Sequence, residues 1–313
     1  MPVGKRQIGT VRIMGTQFWW FFDAASAAII LVSVFLSGKK GFAKTIAVTI
    51  GWIIAMVFAF PSSGGAADFI YKNGVKQSNV SAIESALEHG NIIQKIKSYI
   101  EGLGYSVTVD EERLENIFND SKDADVCGRL YEYVNNINGR VVDSEDNFRA
   151  KMTEGFAEIM NVILQEELSG YEADAVSEKI LNGDSFENDL GLICGEDVHT
   201  AAEHIEEAYT ADSTKDIIRI FCFIIIIFVL MTAVKIIAQK LSDGDAVPTI
   251  GDIADHAVGG ILGAAEGIAI IFISAAVVRA LVILGSKDMM LFNSDTIDKT
   301  IFFKHIYNLV LKL

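Results

Sequence analysis

Four apolar blocks, residues 18–36, 43–60, 217–238 and 257–284, each approach the roughly 20 residues that a helix needs to cross the hydrocarbon core of a bilayer. Four such blocks at this density are unusual for the buried helices of a soluble protein. Their spacing predicts two hairpins. Ser37-Gly38-Lys39-Lys40-Gly41 reads as a tight basic turn between the first two blocks, and Pro61-Ser62-Ser63-Gly64-Gly65 as the stop of the second. Lys5, Arg6 and Arg12 resemble the basic start of a signal peptide, but the length of the first block, its Asp23 and its run into Lys39 and Lys40 favour an uncleaved helix.

Hydropathy and charge pull in opposite directions. Mean hydropathy is +0.35, and 51% of the 313 residues are hydrophobic, yet the formal charge is −15. The two properties separate along the chain: residues 62–216 hold 32 acidic and 12 basic residues, and the rest holds 9 and 14. Three prolines, three cysteines and long apolar runs exclude collagen-like, disulfide-framework and disordered classes. Nucleic-acid binding is excluded for so acidic a centre, because phosphate neutralisation needs clustered Lys and Arg. With no glycine-rich phosphate loop, nucleophile elbow or CxxC pair, and five scattered histidines, the sequence points to a non-catalytic protein with no cofactor.

Two separated pieces resemble the colicin V production protein (CvpA) family of bacterial inner-membrane proteins. In the first, Asp23 at the start of the opening helix precedes Lys40-Gly41-Phe42-Ala43-Lys44. In the second, Asp255-His256 leads into Gly259, Gly263 and Gly267 at four-residue spacing. The resemblance covers about residues 18–75 and 216–310, including a tail segment around residues 297–307. It implies a role in production or export of a peptide toxin and in cell-envelope homeostasis. Glu266 and His256 depart from the basic residues that family members commonly carry there, and the central stretch replaces a short loop.

Gly259, Gly263 and Gly267 share one helix face and leave a groove for close approach of another helix. The expected occupant is one of the chain's own helices, with homo-oligomerisation as the alternative. Ionisable residues inside apolar blocks are costly, so Asp23, Lys235, Asp255, Glu266 and Arg279 each need a partner, a water route or a place near the interface. Asp23, after Trp19 and Trp20, reads as an interfacial anchor. Lys235 and Arg279 read as snorkelling from helix ends. For Glu266 the readings are pairing with Lys235, protonation, or a polar cavity. Lys39, Lys40, Lys44, Lys235 and Lys240 place both short turns in the cytoplasm and the acidic stretch outside, against Lys5, Arg6 and Arg12.

The acidic stretch is helical in period. Phe148, Met152, Phe156, Ile159, Met160 and Ile163 mark a core-facing stripe, with Asp110 and Ser144 as helix starts and Gly102-Leu103-Gly104 and Gly170 as stops, giving five or six helices. Asp123-x-Asp125-x-Cys127-Gly128 imitates the opening of a calcium loop, but Cys127 occupies an oxygen-ligand position and Val134 the closing Glu position, so it reads as an ordinary loop. His199, Glu203 and Glu207 read as a solvated helix face. Cys127 and Cys194 form a disulfide only if this domain is extracytoplasmic.

The sequence thus predicts an all-α, polytopic membrane protein: an N-terminal segment with the first hairpin (1–75), an acidic helical insertion (76–216), a second hairpin (217–285) and an amphipathic C-terminal segment (286–313). Its expected partners are the lipid bilayer of the bacterial inner membrane, a second copy of the chain, and an envelope or secretion protein. A transporter with a polar path between the hairpins and a membrane-tethered sensor or adaptor are the alternative functions.

Overall fold

The computed structural model describes residues 18–40, 42–119, 125–183, 186–195, 197–242, 252–284, 292 and 294–311. Among them all regular structure is helical and no strand occurs. Four helices are long and apolar enough to cross a membrane, which makes this a multi-pass membrane protein. Their outer faces agree, since Leu31, Phe58, Phe228 and Ile261 are each more than 60% exposed and need an apolar surround. The chain divides into two compact units, residues 1–69 with 216–313, and residues 70–215.

The first unit contains α1 (Trp20–Lys40), most of α2 (Phe42–Ile70) and the later part of a helix that begins in the other unit, numbered α11 below. The predicted basic turn is shorter than expected: Ser37, Gly38, Lys39 and Lys40 are the last turn of α1, and only Gly41, outside the described residues, separates α1 from α2. Nor does Pro61-Ser62-Ser63-Gly64-Gly65 end α2. Proline removes one intrahelical hydrogen bond. The packed face nevertheless continues through it, with Ala55, Ala59, Ser63 and Ala67 buried at four-residue intervals and Ser63 Oγ donating to Phe60 O at 2.8 Å.

The second unit, with 30 acidic and 12 basic residues, is built from α3 (Lys76–Gly90), α4 (Ile92–Gly102), α5 (Glu111–Asn119), α6 (Val126–Asn138), α7 (Glu145–Leu164), α8 (Gly170–Asn182), α9 (Phe186–Gly195) and α10 (Val198–Ile205). Two π-helical turns, Tyr71–Val75 and Glu206–Thr210, flank this set. Eight described α-helices replace the five or six expected, because several are only two to three turns long. The α7 stripe is buried as predicted, with Phe148, Phe156 and Met160 at 0% exposure. Ser144 Oγ accepts from Asn147 N, and Asp110 Oδ1 accepts from Arg113 N, so both predicted starts are capped. Gly170 is not a stop but the first residue of α8, behind a reciprocal capping box between Ser169 and Glu172.

The remaining elements are α11 (Ala211–Ser242), α12 (Asp252–Leu284), α13 (Ser294–Asp298) and α14 (Phe303–Val310). Within the first unit α1 and α12 run antiparallel, with Gly260 against Val34, Gly263 against Ser33, and Gly267 against Ile30. From Asp216 onward α11 is antiparallel to α2, setting Phe223 on Phe60 and Val234 on Gly51.

Candidate functional site

Of the polar and small residues singled out in the two apolar halves of the sequence, Gly263, Gly267 and Glu266 meet α1 along the α1–α12 seam. A Cβ on Gly263 would lie 2.6 Å from Ser33 O and 2.6 Å from Ser37 Cβ, and one on Gly267 would lie 3.0 Å from Ile30 Cα. Backbone therefore touches backbone at these two positions, a contact no larger residue permits. The glycine face is occupied by the chain's own α1. Gly259 is buried, and Gly260 beside it faces Val34 with ordinary clearance, 3.5 Å to Val34 Cγ1.

Ser37 Oγ donates to Glu266 Oε2 at 3.0 Å across this seam. Thr45 Oγ1 donates to the backbone carbonyl of Ser37 at 3.1 Å, and Thr49 Oγ1 to that of Thr45 at 2.9 Å, so of these hydroxyls Ser37 alone bonds the Glu266 carboxyl. Ser37, Thr45 and Thr49 are all buried. Glu266 also borders a cavity of about 370 Å³ on the α1 side, together with Ser33 and Ser37. The expected pairing with Lys235 is absent: Lys235 is exposed on α11 and, among the described residues, makes no ion pair with Glu266. The side chain of Asp255 lies outside the described residues.

At the opposite end of α1, Asp23 makes contacts that the sequence reading did not anticipate. Its carboxylate accepts three consecutive backbone N–H groups, Ile301 at 2.7 Å, Phe302 at 3.0 Å and Phe303 at 2.9 Å. These donors lie at the start of α14, where a helix has N–H groups without intrahelical partners and a partial positive charge. Thr300 Oγ1 accepts the next one, from Lys304 at 2.8 Å. Phe22, next to Asp23, stacks on Phe303 with ring centroids 4.9 Å apart. The carboxylate is thus the cap of a helix 280 residues away in sequence. No local pattern connects these positions, although an aspartate one turn into an apolar block signals a missing partner.

Arg279 does not snorkel. It is only 6% exposed, and its Nε and Nη1 have no hydrogen-bond partner among the described residues. Arg219 lies beneath α2 with its guanidinium 6.0 Å from the Phe60 ring and 3.6 Å from the position of a Cβ on Gly64.

In the second unit the structure brings together groups that sequence reasoning missed. Tyr71, first residue of one π-helical turn, donates its hydroxyl to Oε1 of Glu206, first residue of the other. Glu206 is 0% exposed and its Oε2 has no hydrogen-bond partner among the described residues. Nearby, Thr214 Oγ1 donates to Glu172 Oε1 at 2.6 Å and Asn79 Nδ2 donates to Thr214 Oγ1 at 2.9 Å, all three residues buried. A π-turn shifts a helix face by one residue, so the usual 3.6-residue reading does not show which side chains turn inward.

Cys127 and Cys194 stand as free thiols in this structure. Burial pushes the Cys127 thiol up to about 12 and raises that of Cys194, which leaves both weakly reactive. Asp125 caps α6 by accepting from Gly128 N at 2.7 Å, so Cys127 and Gly128 sit in a helical turn rather than a loop. The neighbouring Arg149 guanidinium holds the Asp125 carboxyl below the usual carboxylate range. His199 faces Glu84 at 3.5 Å and Glu203 at 3.6 Å, and Glu207 faces Lys76 at 3.9 Å, all at the surface.

Comparison with protein-family models, with curated proteins and with solved structures gave no match.

Proposed function

We propose that the chain is a non-catalytic, multi-pass inner-membrane protein of the colicin V production type, with two transmembrane hairpins and an inserted acidic helical domain on the extracytoplasmic side. One observation carries this reading. The two sequence pieces that resemble the family, more than a hundred residues apart, belong to the same compact unit, in which Gly263 and Gly267 receive α1 and Asp23 on α1 caps the tail helix. The residues that carry the resemblance thereby have a shared physical task, assembly of the membrane unit. The role that follows is support of peptide-toxin export and envelope integrity, with an envelope or secretion protein as partner. The test is restoration of toxin export in a bacterium lacking its own family member. Restoration by the full chain and not by Gly263→Leu supports the reading, and failure of a chain that is inserted at normal levels counts against it.

A second reading, a small transporter, is favoured by the Glu266 carboxyl within an apolar helix, which accepts from Ser37 Oγ and borders a cavity of about 370 Å³ with Ser33 and Ser37. Intramembrane carboxyls flanked by hydroxyl groups are a recurrent element of ion and proton pathways. Ion or proton flux in reconstituted vesicles, abolished by Glu266→Gln, supports it; flux indifferent to that substitution removes it.

A further inference from the structure

Beside the α1–α12 seam, at the end of α1 that carries its basic residues, lies a groove of about 690 Å³. Its apolar walls are Val34 and Phe35 on one side and Ile261 and Ala264 on the other, and Gly38 and Gly260 keep its floor open. From His256 to Ala264 it follows α12 for about 12 Å at the helical rise. Among the described residues two ionisable side chains border it, Lys39 and His256. Lys39 is exposed, with Nζ held 4.3 Å over the Phe35 ring, so the charge is retained at the mouth of the groove. His256 Nδ1 donates to Gly38 O at 2.6 Å, which fixes the ring and makes Nε2 the acceptor nitrogen of the neutral imidazole, so the positive charge at the groove is that of Lys39.

An open apolar groove with a lysine at its mouth fits an amphiphile with an acyl chain and an anionic head. We infer that this groove is a binding site for a single anionic phospholipid, its acyl chain between α1 and α12 and its phosphate at Lys39. The inference rests on α1 and α12 lying in a bilayer and is independent of the family reading and of transport. Basic pockets between membrane helices hold anionic headgroups by the same combination of charge and apolar contact. The glycine and alanine residues that let α1 and α12 approach also leave the concavity that the chain fills.

The test uses the purified full chain in detergent, exposed to equimolar phosphatidylglycerol and phosphatidylcholine of identical acyl chains, with bound lipid counted by native mass spectrometry. The expected result is a preference of about fivefold for phosphatidylglycerol, the factor that one basic residue contributes at an anionic headgroup. Lys39→Gln brings that preference close to one while total bound lipid is maintained. Ala257→Leu, an exposed position at the groove, lowers retention of both lipids. Equal retention of the two lipids by the wild-type chain overturns the proposal, as does a Lys39→Gln variant that keeps the preference. Displacement of the lipid by inorganic phosphate alone would reduce the site to an anion contact without an acyl groove, and also overturns it.

Discussion

Replacing Asp23 tests whether a single intramembrane carboxylate holds the C-terminal helix in place. In Asp23→Ala the N–H groups of Ile301, Phe302 and Phe303 lose their acceptor together. Loss of a helix N-cap costs about 1 kcal/mol, and a hydrogen bond to a charged group contributes about 1.5–3 kcal/mol. Ile301 and Phe302 are exposed, so part of the loss returns through hydration, which sets the net effect at about 2 kcal/mol. That corresponds to a roughly thirtyfold rise in the opening equilibrium of α14. Asp23→Asn keeps one acceptor oxygen, and Asp23 Oδ1 alone serves Phe302 and Phe303, so its effect is expected to be about half as large in free energy. Hydrogen exchange of residues 303–310 in nanodiscs measures the opening directly, with the α7 amides of the second unit as an internal reference. The stacked Phe22 and Phe303 rings contribute independently and remain in both variants. If exchange in 303–310 rises less than threefold in Asp23→Ala, the carboxylate is not what secures the helix and the reasoning fails.

Three further predictions follow from contacts elsewhere. Gly263→Ala places a methyl 2.6 Å from a backbone oxygen that cannot move aside, whereas Gly260→Ala meets only Val34 Cγ1 at 3.5 Å; thermal unfolding in detergent should show a loss of about 1–3 kcal/mol for the first and little for the second, and equal effects would contradict the seam geometry. Tyr71→Phe leaves the buried Glu206 carboxyl without its only described donor and should destabilise the second unit by about 1–3 kcal/mol, more than Glu206→Gln, which keeps an acceptor for Tyr71; the reverse order in denaturant unfolding would show that the pair is not coupled as described. The Asp143 carboxyl is held below its usual range by Asn147 at 2.7 Å and Lys151 at 2.8 Å. A lowered folded-state pKa means that the unfolded chain binds the proton first, so this contribution is present above about pH 4 and is lost as pH falls further. Asp143→Asn should therefore be less stable than the wild type at pH 7 and converge with it in acid, and a gap that persists unchanged at low pH would exclude the linkage.

The long-range contacts mark where a linear reading stops. Apolar length predicted four membrane helices, and helical period predicted the Phe148–Ile163 stripe, because both depend on local composition and on which side of one helix is apolar. Glycine spacing on α12 showed a surface suited to close packing but could not name α1 as its occupant. Punctuation was misread where tertiary contacts compensate for local preference. Pro61 and Gly64 lie inside α2 because Ala59, Ser63 and Ala67 stay packed and Arg219 fills the space over Gly64. Gly170 begins a helix because the Ser169–Glu172 capping box outweighs its low propensity.

Charge shows the same division. Segregation of an acidic centre from apolar flanks is a property of residue order alone, and it anticipates two units of different solvent preference, since hydrophobic transfer and ion hydration act residue by residue. The partners of the individual charges are a property of the fold. Asp23 meets the backbone of the last helix, Glu266 meets Ser37 rather than Lys235, and Glu206 meets a tyrosine 135 residues away. Hydrogen bonds act over about 3 Å and are set by the approach of distant segments. Composition therefore establishes that these costly groups need partners, and only the packing of helices remote in sequence selects them.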